Sequence, residues 1–132
     1  MTAPALLIVD AANVVGSVPD GWWRDRHGAA TRLRDAIAGL AETGLPGVPE
    51  LTGPIEVVLV VEGAARDVAE IAGVRVHAAP RSGDDAIVDL VRQEAPDRPA
   101  VVVATADRGL RDRVTEAGGR VTGPRSLPYR GR

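Results

Sequence analysis

The stretch from Leu6 to Gly16, Leu-Leu-Ile-Val-Asp-Ala-Ala-Asn-Val-Val-Gly, constrains the fold more than any other part of the chain. Four consecutive apolar residues run straight into a carboxylate and, three residues later, an amide. A run that is apolar at every position reads as a strand buried on both faces, the habit of parallel sheets covered by helices. Such a strand brings Asp10 and Asn13 to its carboxyl end, the edge at which open α/β sheets bind ligands.

The same unit recurs along the chain. Residues 5 to 9 make the first strand. Val14 to Asp20, with Gly16 and Pro19, reads as a connection, and a helix is predicted from near Asp20 to Thr43, stopped by Gly44 and Pro46. Leu33, Ile37, Leu40 and Ala41 form its apolar stripe. Gly44 to Pro54 is a loop, Ile55 to Val61 a second strand closed by Glu62, and Ala64 to Ala72 a short helix ended by Gly73. Val74 to Ala78 is a third strand, Asp84 to Glu94 a helix, and Ala100 to Ala104 a fourth strand. Asp107 to Ala117 is a helix ending at Gly118 and Gly119, and Arg120 to Thr122 a last short strand. Residues 124 to 132 read as a C-terminal tail, basic through Arg125, Arg130 and Arg132, leaving residues 1 to 123 as one domain. Strands alternating with helices predict a three-layer α/β/α sandwich around a mostly parallel five-stranded sheet.

Composition narrows the chemistry. All 16 basic residues are arginine, which removes a Walker lysine and a Schiff-base lysine, and no G-x-G-x-x-G follows a strand. With no cysteine, a metal must be held by oxygen or histidine ligands, so hard divalent ions are the default. No apolar run reaches the roughly 20 residues of a membrane span and the N-terminus lacks a leader pattern, so a cytoplasmic protein with no membrane partner is expected. A net charge of -2 is too mild to name a partner by itself.

What the turns offer is acid. In the predicted topology Asp10, Glu62, Asp84, Asp85 and Asp107 all follow strands and share one edge. Unbalanced carboxylates repel, and a divalent cation with oxygen ligands resolves the repulsion. Magnesium or manganese there would activate water and brace a phosphodiester. Each acid also has a structural reading: Ser82 with Asp85 fits a capping box, Asp107 fits a helix N-cap, and Glu62 fits a solvated loop residue. Asp10 resists such a reading, because a carboxylate abutting a wholly apolar strand is desolvated.

Three stretches resemble one family. Val9-Asp10-Ala11-Ala12-Asn13-Val14-Val15-Gly16 resembles the V-D-G-Y-N-hydrophobic-hydrophobic-G opening of NYN domains, the PIN-like nucleases, in particular their bacterial YacP-type branch. Ser82-Gly83-Asp84-Asp85-Ala86-Ile87 is similar to that branch's T-A-D-[DE]-x-I, and Val103-Ala104-Thr105-Ala106-Asp107-Arg108 to its V-x-T-[SA]-D. The likeness spans Leu6 to about Val121, with Ala11-Ala12 where the family has Gly-Tyr. It implies a PIN-like sheet of order 3-2-1-4-5 and metal-dependent endoribonuclease activity. Carried across, Asp10, Asp84 and Asp107 form the magnesium or manganese site, Asn13 orients the first turn or a water, and Asp85 is an auxiliary acid.

Substrate contacts are expected from Trp22 and Trp23, just after the first motif, as stacking surfaces for unpaired bases or as core residues. Trp23, Ala30 and Ile37 share a seven-residue spacing, which predicts that at least one tryptophan is buried. Arg81, Arg108 and Arg111 flank the acids as phosphate clamps, with Arg113, Arg24 and Arg26 nearby. The implied partner is single-stranded or loop RNA, with the ribosome or a second copy of the chain as further candidates. The competing reading is a non-catalytic PIN-like module that binds RNA or protein.

Overall fold

A computed structural model describes residues 3 to 131, so the expected contribution of Arg132 to a basic tail lies outside the described residues. Five strands, β1 (Leu6–Asp10), β2 (Glu56–Val61), β3 (Arg75–Ala78), β4 (Val101–Ala104) and β5 (Arg120–Thr122), form one sheet of order β3-β2-β1-β4-β5. Every pairing is parallel, with Leu6 opposite Glu56 on one side and Val101 on the other. The chain winds outward from β1 to β3 and then restarts on the other flank with β4. The switch point of this doubly wound sheet therefore lies between β1 and β4.

Alternation sorts the central strands between two cores. Leu7, Val9, Val57, Leu59, Val61, Val102 and Ala104 pack under α1 (Ala11–Gly16), α2 (Arg26–Ala36) and α3 (Leu40–Thr43). Leu6, Ile8, Val58, Val60, Val101 and Val103 pack under α4 (Gly83–Glu94) and α5 (Arg108–Glu116). This is the expected α/β/α sandwich, with the sheet wholly parallel.

Three helical expectations change. Val14 to Asp20 is not all connection, because Asp10 caps α1 directly and the chain turns helical at Ala11, without an intervening loop. The long helix from near Asp20 to Thr43 divides into a 3₁₀ turn at Trp22–Arg24, α2 and α3. Its real start is Asp25, whose Oδ1 accepts from the Gly28 N–H at 2.9 Å. A side chain at Gly28 would run into that same carboxylate, which explains a glycine in a first turn. The predicted helix Ala64 to Ala72 shrinks to a 3₁₀ turn at Gly63–Ala65. A segment this short nucleates poorly, and the Ala69 carbonyl is taken by Arg34 Nη1 at 2.8 Å.

The C-terminal residues are not a free tail. After a 3₁₀ turn at Pro124–Ser126, Leu127 and Tyr129 are buried in the core beneath α1 and α2. Arg130 spends its guanidinium on the carbonyls of Leu127 and Tyr129, at 2.6 and 2.9 Å, which fixes the turn that buries them.

Candidate active site

Strand alternation also decides which way the site faces. Counting by twos from Leu6 and Ile8 reaches Asp10; from Val58 and Val60, Glu62; from Val101 and Val103, Thr105. All three polar residues thus continue the α4/α5 face past the ends of the three central strands.

Asp10 is the buried member, 5 % exposed. Its Oδ2 accepts from Thr105 Oγ1 at 2.9 Å, and its Oδ1 caps α1 by accepting from the Asn13 N–H at 3.4 Å. Among the described residues it has no ion pair. Burial pushes its pKa up to about 6 against the two hydrogen bonds, which favour the anion, and the charges of Asp84 and Glu62 add to the rise. Asn13 reaches across the switch point, its Oδ1 accepting from the Ala106 N–H at 2.8 Å. Two side-chain bridges thereby join the turn after β1 to the turn after β4.

The other acids ring this centre. Glu62 accepts from the Gly83 N–H and so ties the end of β2 to the start of α4. A Cβ at Gly83 would press on the Glu62 Oε2, which would have to give by a few tenths of an ångström. Ser82 caps α4 by accepting from the Asp85 N–H at 3.3 Å. Asp84, half-buried on the first turn, has its pKa raised by desolvation and then by Asp107 and Glu62, with Arg113 opposing. Asp107 caps α5 through the Leu110 N–H at 2.9 Å. Ser82 and Asp107 are therefore helix N-caps, but the box at Ser82 is only half made because the Asp85 carboxylate goes to Arg113; neither cap removes the carboxylates of Asp84 and Asp107 from the edge.

Asp85 is partnered otherwise: its Oδ1 receives Arg113 Nη2 at 2.9 Å, an exposed link between α4 and α5. Arg81, Arg108 and Arg111 make no side-chain hydrogen bond or ion pair among the described residues; Arg113 is the arginine whose charge acts on Asp84. Trp22 is half-buried against the core while Trp23 is 56 % exposed, so the seven-residue spacing pointed to the wrong member of the pair. The two rings meet edge to face at 6.0 Å.

Sequence reasoning missed Thr105. The signal was there, since a hydroxyl wedged between an apolar strand and Asp107 has a buried partner to find. Its Oγ1 also accepts from the Asp107 backbone N–H at 3.2 Å, so one fully buried hydroxyl ties the Asp10 carboxylate to the backbone that starts α5.

As arranged, no three carboxylate or histidine side chains among the described residues are grouped to hold a metal ion. The donor chemistry nevertheless fits magnesium or manganese: the available ligands are carboxylate oxygens, and like-charge repulsion acts on both Asp10 and Asp84, eased at Asp84 only in part by Arg113. Magnesium keeps several waters and takes only one or two carboxylates beside substrate phosphates, so a preformed cage of three is not a requirement.

Neither a protein-family model nor a curated protein matches the sequence. Among solved structures the chain is similar to the crystal structure of a mutant of Rae1 (YacP) from Bacillus subtilis. The TM-score is 0.68 at 18 % identity, covering 93 % of this chain and 72 % of that one. At this identity the likeness establishes a shared fold, reached independently by strand order and by superposition.

Proposed function

We propose that the chain is a metal-dependent endoribonuclease that hydrolyses phosphodiesters in single-stranded or loop RNA. The observation that carries this reading is Asp10, a buried carboxylate without a cation at the switch point of the sheet, in the electrostatic range of Asp84 and Glu62. A structural buried charge is normally paired; an unpaired one at a ligand-binding edge is a candidate functional group. The YacP-like fold supports the reading without identifying a substrate.

In this proposal Asp10, Asp84 and Asp107 hold magnesium or manganese, directly or through its bound waters, and the ion when bound would polarise the phosphoryl oxygen and acidify the attacking water. Thr105 and the Asn13 N–H keep the Asp10 carboxylate fixed and favour its anion. Asn13 holds the two turns in register through Ala106. Arg81, Arg108 and Arg111 bind backbone phosphates and orient the chain over the acids. Asp85 acts as a positioning residue, steering Arg113 beside Asp84.

One observation favours the non-catalytic module instead: no three-ligand group stands preassembled among the described residues. A labelled, structured RNA incubated with the protein and manganese or magnesium, beside EDTA controls and the Asp10→Asn and Asp107→Asn variants, separates the two. Metal-dependent cleavage lost in both variants is expected. Intact RNA under every metal, with binding retained, overturns the nuclease reading in favour of the module.

A further inference from the structure

On the α1/α2 side of the same edge lies a cavity of about 280 Å³ that the acids do not fill. Ala11, Val15, Ala30 and Ala65 give it an apolar floor, Trp22 a wall, and Arg26 and Arg81 a cationic rim. Glu62 stands on its boundary with the acidic cluster. Sites for drug-sized ligands run from roughly 300 to 1,000 Å³, so this one has room for about a single nucleoside.

Neither of its two arginines has an anionic partner among the described residues. Arg26 has only its approach to the Trp22 ring, with Cζ at 5.4 Å from the centroid, and Arg81 has no side-chain hydrogen bond or ion pair among the described residues. An aromatic wall over small apolar residues suits the face of a base, and free guanidinium groups at the mouth suit a phosphate. A neutral apolar ligand would leave both cations unanswered, and a peptide carboxylate would leave the ring unused. The small side chain of Ala12, exposed at the rim, leaves the entrance open.

We propose that this cavity is a nucleotide subsite, which takes the base of one unpaired RNA residue against Trp22 and its phosphate between Arg26 and Arg81. It rests on the nuclease reading for its relation to the reacting phosphate. In that setting the subsite fixes where the strand crosses the acids, so cleavage falls at a constant offset from the captured base.

The test uses the full chain carrying Asp10→Asn, so that RNA binds uncut, and Trp23→Phe, so that Trp22 is the only tryptophan. A single-stranded hexaadenylate is titrated while Trp22 fluorescence and affinity are followed. Quenching on binding is expected, together with a roughly tenfold or greater loss of affinity in Ala12→Leu, the loss that goes with one unstacked base. Arg26→Gln should weaken binding and lower its salt dependence. Because Ala12 is exposed, its replacement should leave the circular dichroism unchanged, which keeps folding out of the result. Unchanged fluorescence, or full affinity in Ala12→Leu, overturns the subsite. Cleavage of the same oligonucleotide by the unsubstituted protein with manganese is read separately. Cleavage without quenching sinks the subsite and spares the nuclease; quenching without cleavage does the reverse, leaving a nucleotide-binding pocket.

Discussion

The two edges of the sheet handle buried charge in opposite ways. At the amino edge Arg98, with a side chain 8 % exposed, is met by Glu94 at 2.7 Å, by Glu56 at 2.6 Å and by the Pro4 carbonyl at 3.0 Å. At the carboxyl edge Asp10 is as deeply buried, yet it meets a hydroxyl, a backbone N–H and other acids. The first arrangement is complete within the chain, while the second lacks a positive partner. The contrast teaches how to tell a structural ion from a functional one: burial is common to both, and compensation divides them.

Four experiments break or sharpen that contrast. The largest effect belongs to Asp10→Asn, which should reduce metal-dependent RNA cleavage by about a thousandfold or more, as expected when a group acting on the reacting centre is removed. Its stability should move the other way. A carboxyl raised from 3.8 to about 6 costs on the order of 3 kcal/mol once ionised. The folded chain binds that proton more tightly than the unfolded chain, so the contribution is fully present below pH 3.8 and is lost as pH rises through about 6. In EDTA, thermal unfolding of the wild type should therefore show this loss between pH 4 and 6 and Asp10→Asn should not; parallel curves would deny that Asp10 is strained.

Arg98→Ala comes next. It leaves Glu94 without a cation while Glu56 keeps Arg75 at 3.0 Å, and urea titration should find a loss of about 2 kcal/mol, below the usual cost of a broken buried pair because one partner stays compensated and both glutamates are about a third exposed. If instead Arg98→Ala proves neutral and Asp10→Asn destabilising, the proposed division between the edges is wrong.

Divalent cation should supply the partner Asp10 lacks. Manganese at a hundred times its dissociation constant should stabilise the wild type by about 2.7 kcal/mol, measurable as a rise in Tm, with little effect on Asp10→Asn. Equal shifts in the two proteins would place the ion elsewhere. The smallest change is expected from Arg113→Gln: its pair with Asp85 is exposed on both sides, so stability should fall by no more than about 0.5 kcal/mol.

How much of this was legible in the sequence depended on where the signal was local. The strands β1, β2 and β4 announced themselves as apolar runs, and once they were parallel the shared edge of Asp10, Glu62, Asp84 and Asp107 followed. The cap at Ser82 was readable from four residues. By contrast, α1 was hidden because its cap is Asp10 itself, so a residue already assigned to chemistry was also starting a helix. Leu127 and Tyr129 sit among Pro, Gly and Arg with no period, and only the space beneath α1 and α2 makes them core. The division into a domain and a tail missed that space for the same reason. Thr105 went unassigned because its partner lies 95 residues away.

That separation has a consequence for the protein's own synthesis. Asp10 leaves the ribosome 95 residues before Thr105, and so before the strand that brings Thr105 and Asp107 beside it. An unfinished chain therefore carries the first acid of the site without the hydroxyl that steadies it or the acid that completes the edge. If this edge cuts RNA, it stays harmless to the message that encodes it until β4 and the turn after it have been made.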